Sequence, residues 1–216
     1  MRPKVGIIDY GVGNIFSVEQ ACNKAGIQTL IISDPKKIDQ VDALILPGVG
    51  SYKTAMKNLN EKKLINPLIS FANSGKYFVG ICLGMQLLLT KSYEFGEQKG
   101  LNLIKGDVKK FLFRNEEKKK YPIPQIQWNQ LNVVKNKAIS PLNQFKSGDY
   151  MYFVHSYYCD TENKKNIVST THYGSIEYPS IIRKNNIIGI QFHPEKSGEN
   201  GLKFYQELNE LITKDI

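Results

Sequence analysis

Gly80-Ile81-Cys82-Leu83-Gly84-Met85-Gln86 constrains this chain more than any other stretch. Tyr77-Phe78-Val79 before it is apolar and β-favouring, and reads as a buried parallel strand. The Leu- and Met-rich run over 85–90 reads as the start of a helix. A strand that turns at once into a helix strains the residue at the turn, and only glycine on either side leaves room for the close approach. A cysteine so placed, with Gly80 and Gly84 two positions away, is the thiol form of a nucleophile elbow. The turn lifts the Cys82 sulfur to the carboxyl edge of the sheet, where a helix N-terminus favours a thiolate and stabilises an oxyanion. Alone, the same residues also fit a buried structural cysteine, because free Cys commonly packs as a small apolar side chain. The rest of the chain decides.

An elbow needs a sheet to stand on. The 216 residues suit one α/β domain with a substantial core, read here as a single domain over 1–216. Lys4–Ile8, Gln28–Ile32 and Ala43–Leu46 read as strands. Helices are predicted over 15–25, 51–59 and 66–73, with Gly26 and Gly75 as stops. Repeated β-α implies a mostly parallel, open central sheet with helices on both faces. Beyond Gly96 the pattern changes. Strands are predicted over 108–114, 130–134, 151–154, 167–173, 180–183 and 187–192, with Lys184-Asn185-Asn186 as a hairpin turn. These predict antiparallel additions to the sheet in the C-terminal half, closed by a helix over 198–212.

Two glycine turns stand at carboxyl ends of early strands. Asp9-Tyr10-Gly11-Val12-Gly13-Asn14 is too short of glycine for a dinucleotide fingerprint. Pro47-Gly48-Val49-Gly50-Ser51 lies where doubly wound sheets bind ligands, and on its own it also fits a plain loop.

Composition removes several function classes. Net charge is 29 − 20 = +9, but the basic residues are scattered and form no arm or nucleic-acid motif, so the charge reads as solvated surface. No apolar run approaches the ~20 residues of a membrane span. Three cysteines without a signal-like segment predict reduced thiols in the cytoplasm, and their spacing fits no zinc site or other metal.

The second decisive stretch is Gln191-Phe192-His193-Pro194-Glu195-Lys196-Ser197. A thiol nucleophile needs a base that takes its proton and returns it to a leaving amine, and histidine does both near neutral pH. Glu195, just past the Pro194 bend, is placed to fix the tautomer of His193 and support its imidazolium.

With Phe192-His193-Pro194-Glu195, the elbow resembles the triad-type, class I glutamine amidotransferases. The two glycine turns, Phe153-Val154-His155-Ser156-Tyr157 and His193 to Ser197 extend the resemblance over essentially the whole chain. They narrow it to members that feed a synthase in histidine biosynthesis. The resemblance implies Cys82 as nucleophile, His193 as base and Glu195 as its orienter. It implies an oxyanion hole from the N–H groups of Val49 and Leu83. L-glutamine would be held by Gln86 and by backbone near Gly48, Gly50, His155 and Ser156. No cofactor is implied. The implied partner is a (β/α)8 synthase subunit receiving ammonia through a dry passage, with Asn14, Trp128 and Lys196 near the interface.

One departure stands out. Family members usually carry histidine and glycine ahead of Trp-Asn, where this chain has Gln125 and Gln127, positions expected near the partner. Three readings stay open beside the first: a paralogous synthase aminating another substrate such as a surface sugar, a partner-independent γ-glutamyl hydrolase, and a scaffold with a dead site.

Overall fold

The computed structural model describes residues 3–134 and 142–214. Its first half alternates as predicted: β1 (Lys4–Ile8), α1 (Ile15–Lys24), β2 (Gln28–Ile32), β3 (Ala43–Leu46), α2 (Tyr52–Glu61), α3 (Ile65–Asn73), β4 (Tyr77–Ile81) and α4 (Leu83–Leu87). Local chemistry sets these boundaries. Ser51 accepts the Thr54 N–H to open α2, and Gly26 leaves α1 in the left-handed region at φ +78°. The helix after the elbow corrects the expectation. It covers Leu83–Leu87 rather than 85–90, because the carbonyls of Leu87, Leu88 and Leu89 accept N–H groups from residues 101–104 and cannot continue a helix.

The second half supplies β5 (Lys91–Ser92), β6 (Gln98–Lys99), β7 (Gly106–Lys110), α5 (Asn115–Lys118), β8 (Gln125–Gln130), β9 (Asn132–Val133), β10 (Tyr150–His155), β11 (Tyr157–Thr161), β12 (Ile167–Tyr173), β13 (Ile176–Lys184), β14 (Ile187–Ile190) and α6 (Gly198–Lys214). The central sheet runs β2-β1-β3-β4-β14-β13-β12-β9. β2 through β14 are parallel, and the last three strands are antiparallel additions.

Strand alternation divides the apolar residues between two cores. Val5, Ile7, Ile45, Val79, Ile81, Ile188 and Ile190 pack with Val18 and Cys22 of α1 and Phe204 and Leu208 of α6. Leu44, Leu46 and Phe78 pack with Ala55 and Leu59 of α2 and Leu68 and Phe71 of α3. Helices therefore cover both faces. Each fully buried aliphatic or aromatic side chain contributes about 1.5–3 kcal/mol.

The remaining strands do not join this sheet, which corrects the reading of the C-terminal half. β11-β7-β5-β6 form a second sheet, and β10-β8 form an antiparallel ribbon. The strand expected over 108–114 ends at Lys110, because Phe111 turns into an aromatic cluster with His155, Tyr158, Tyr173 and Tyr178. The strand expected over 130–134 is two pieces: β8 pairs with β10, then β9 crosses to β12. β11, with no predicted counterpart, pairs with β7.

One register matters for chemistry. β4 and β14 are parallel neighbours, with Gly80 opposite Gly189 and Ile81 opposite Ile190. Extending both chains by one residue brings Cys82 level with Gln191, and His193 follows two residues later.

Candidate active site

Cys82 leaves β4 at φ +53° and ψ −109°, and α4 begins with the next residue. That left-handed backbone is rare outside glycine and costs on the order of 1–3 kcal/mol. The surroundings hold it. A Cβ on Gly84 would lie 1.8 Å from the Leu46 carbonyl oxygen, and one on Gly80 would lie 2.6 Å from the Gly84 carbonyl oxygen. Neither neighbour is a flexible side-chain tip, so both positions require glycine. The Cys82 N–H donates to the Ile190 carbonyl at 2.7 Å, which ties the elbow to β14.

β14 delivers the partner side chains to the same edge. His193 Nδ1 lies 2.7 Å from Glu195 Oε1, with both side chains almost wholly buried. A carboxylate only accepts, so Nδ1 carries the proton and the neutral ring leaves Nε2 as a base. Nε2 is buried and has no hydrogen-bond partner. The backbone around the ring is fixed on several sides. His193 N–H donates to the Tyr152 carbonyl at 2.9 Å, and Ser197 Oγ donates to the His193 carbonyl at 2.7 Å.

Electrostatics agree with the geometry. Burial pulls the imidazole pKa down, but the charge and contact of Cys82, followed by the hydrogen bond and charge of Glu195, outweigh it and hold it up at about 10. The imidazolium form of His193 is therefore favoured while a Cys82 thiolate faces it, and the imidazolium can later give its proton to a leaving amine.

Above Cys82 opens a cavity of about 500 Å³. Of the residues nominated from sequence, Val49, Gly50, Cys82, Leu83, Gln86, His155 and Ser156 line it. Gly48 does not; it packs behind, where a Cβ would meet Tyr10 Oη at 2.6 Å and Leu83 Cβ at 2.9 Å. His193 and Glu195 lie outside the lining. Seven further residues line it that were not nominated as site residues: Glu94, Phe95, Lys110, Ile123, Pro124, Val154 and Tyr157. Glu94 is the one carboxylate and Lys110 the one cation among the lining residues. Their types suit the α-ammonium and α-carboxylate of an amino acid, but each lies in a stretch without a motif.

Two nominated side chains prove to be committed within the protein. The Gln86 amide nitrogen donates to the Tyr157 carbonyl at 2.9 Å and to Gln191 Oε1 at 3.3 Å, which leaves its Oε1 toward the cavity. His155 Nδ1 donates to the same Tyr157 carbonyl at 2.8 Å, and its Nε2 lies 3.3 Å from Tyr178 Oη. Burial lowers the His155 pKa from 6.5 to about 4, the bond to Tyr157 resisting only in part. The folded protein thus refuses a proton that the unfolded chain accepts below 6.5. Stability contributed by neutral His155 is full above pH 6.5 and is lost as pH falls from 6.5 towards 4. A loss of about 3 kcal/mol is expected over that window, read by denaturant titration at several pH values. His155→Gln should flatten the dependence.

The residues expected near a partner separate. Gln127, Trp128 and Lys196 are exposed and Asn14 is half-buried, all open to a second protein. Gln125 is fully buried, which corrects its placement at a surface. It accepts the Tyr178 hydroxyl at 3.0 Å inside the aromatic cluster.

The family model described as "Glutamine amidotransferase class-I" matches residues 6–208. A protein of Caldanaerobacter subterraneus subsp. tengcongensis named imidazole glycerol phosphate synthase subunit HisH is 44% identical over 208 residues, covering 96% of this chain and 98% of that one. A Lactococcus lactis protein of the same name is 46% identical over 210 residues, covering 97% and 99%. Among solved structures, PurLQS from Thermotoga maritima superposes with a TM-score of 0.75 at 22% identity, over 98% of this chain and 100% of that chain. This last likeness bears on the fold alone. Taken with the elbow and the buried histidine–glutamate pair beside it, the match over 6–208 means that the chain belongs to the class-I glutamine amidotransferase family.

Proposed function

We propose that this chain is the glutaminase subunit of imidazole glycerol phosphate synthase, working as one glutaminase domain over 1–216 in the cytoplasm. The observation that carries the chemistry is the Nδ1–Oε1 contact of 2.7 Å, which leaves His193 Nε2 unpartnered beside the strained Cys82. The relatives' shared subunit name supports the choice of synthase.

The Cys82 thiolate attacks the side-chain carbonyl carbon of L-glutamine, and the C=O electron pair becomes an oxyanion. Leu83 N–H, at the unpaired first turn of α4, and Val49 N–H receive that charge. As the C–N bond breaks, His193 Nε2–H protonates the leaving nitrogen, releasing ammonia and a γ-glutamyl thioester. His193 then takes a proton from water, whose oxygen displaces the sulfur and frees glutamate. Glu94 and Lys110 bind the α-ammonium and α-carboxylate, and Gln86 Oε1 accepts from the substrate carboxamide. Gly48 and Gly50 keep the Val49 turn narrow, and backbone at His155 and Ser156 closes the far wall.

Ammonia has to reach its acceptor before bulk water protonates it, so a partner must cover the site. The (β/α)8 synthase subunit is assigned to the surface carrying Asn14, Gln127, Trp128 and Lys196, where Ile126 and Trp128 are 58% and 50% exposed. Gln125 acts there only from beneath, and its burial removes it as an argument for a different partner. The test is nitrogen-donor substitution. With the purified histidine-pathway synthase subunit and its ribulosyl substrate, glutamine should replace ammonium salts as donor only when this chain is added. Product from ammonium but never from glutamine would overturn the assignment.

A further inference from the structure

The proposed triad leaves one polar side chain at the sulfur without a role. Gln191 is fully buried, follows β14 directly and stands level with Cys82. Its amide orientation follows from what surrounds it. The Tyr157 carbonyl can only accept, so the Gln86 atom 2.9 Å away is the amide nitrogen. The second hydrogen of that nitrogen points at Gln191, so the Gln191 atom 3.3 Å away is its oxygen. The Gln191 NH2 group is then the end that faces Cys82 Sγ, at 3.8 Å. The Gln191 N–H donates to the Ser180 carbonyl at 2.9 Å, which fixes the main chain beneath it.

The sulfur needs such a donor. On its other side Cys82 Sγ lies 3.7 Å from the Val154 carbonyl, an acceptor that suits a thiol S–H and repels a thiolate. We infer that Gln191 is a further catalytic residue: its side-chain N–H stabilises the Cys82 thiolate against the Val154 carbonyl, and Gln86 is the positioning residue that holds the amide in that orientation. This rests on Cys82 being the nucleophile proposed above. It also gives Gln86 a second duty, because losing its nitrogen frees the Gln191 amide to turn its oxygen towards the sulfur.

The experiment reads the thiolate directly, in the chain as it stands. Iodoacetamide alkylation of Cys82 is followed from pH 4 to 10 by mass spectrometry, and Cys22 and Cys159 are fully buried. Gln191→Met keeps the length of the side chain and adds no charge but removes the donor to sulfur, so a shift reports the lost hydrogen bond. Its alkylation midpoint should rise by at least one pH unit, making alkylation about tenfold slower on the acid limb, since hydrogen bonds to charged groups are the strong ones. Gln86→Met should shift the midpoint the same way by less. Wild-type midpoints in both folded variants would overturn the inference. If neither variant folds, the Gln191 side-chain 15NH2 resonances of the wild-type protein decide it. Movement with the midpoint of Cys82 alkylation supports the contact, and no movement across the titration overturns it. Cys82→Ala, which leaves no atom to take over as nucleophile, is the control for the underlying reading. If it still releases ammonia from glutamine, the nucleophile assignment has failed; if it is dead while Gln191→Met alkylates like wild type, only the present inference has.

Discussion

Cys82→Ala and His193→Asn should each abolish glutamine hydrolysis, with a loss of roughly 10⁴-fold or more, while the fold stays intact. The size follows from the way the two groups act as a unit. Without the sulfur no thioester forms, and without His193 Nε2 neither the thiol proton nor the leaving nitrogen has a partner. Folding survives because the elbow is held by glycine packing and by the Cys82 N–H to Ile190 carbonyl bond, neither of which uses the sulfur. Glu195→Gln falls between these variants and wild type, since it weakens the orientation of the ring while the base remains. A glutamine-analogue electrophile should label Cys82 alone. Steady-state glutamate release and intact-mass labelling check all of this, and an active His193→Asn protein would require another base.

What was legible in the sequence is what chemistry compresses into a few neighbouring residues. The elbow needs its strand, its cysteine, its two glycines and its helix within one short run. His193 and Glu195 are two residues apart and meet through one turn. β3 and β4 were readable because they are buried on both faces and therefore continuously apolar. Legibility fails where a contact is long-range or where patterning reverses. β5 and β6 are two residues each, too short to show any period, so the second sheet was missed. In β8 the polar Gln125 points inward and the apolar Ile126 and Trp128 point outward, the opposite of the usual alternation. That inversion hid the strand and sent Gln125 to the wrong side of it. Glu94 and Lys110 enter the cavity from a loop and a strand end far apart in sequence, and no local signal marks them. The amide chain through Gln86 and Gln191 spans 105 positions and is visible only after β4 and β14 are set side by side.

The isolated chain should be a poor glutaminase, and the synthase subunit loaded with its acceptor should raise the rate by ~10²–10³. The argument turns on the Val49 peptide. Gly48 is confined against Tyr10 and Leu83, whereas Gly50 stands at φ +94° with nothing within 4 Å of where a Cβ would lie. Val49 itself is 40% exposed, so one side of the turn meets solvent rather than protein. A peptide between two glycines rotates at little steric cost. With no partner to favour the inward orientation, the Val49 N–H is absent from the oxyanion hole for most of the time, and one missing donor accounts for the whole predicted factor. A partner can shift that population only by contacting the two states differently. The exposed Trp128, packed edge-on against Tyr152, and the exposed Lys196 are the side chains placed to meet the partner, and their neighbourhood reaches the site through the main chain: the His193 N–H donates to the Tyr152 carbonyl and the Lys196 N–H to the His193 carbonyl. Lys196→Ala should therefore weaken stimulation more than basal hydrolysis. Glutaminase rates for the chain alone, with the synthase subunit, and with that subunit plus acceptor measure the effect. Equal rates in all three would mean that the oxyanion hole is already formed at rest, and the chain would then be a stand-alone hydrolase.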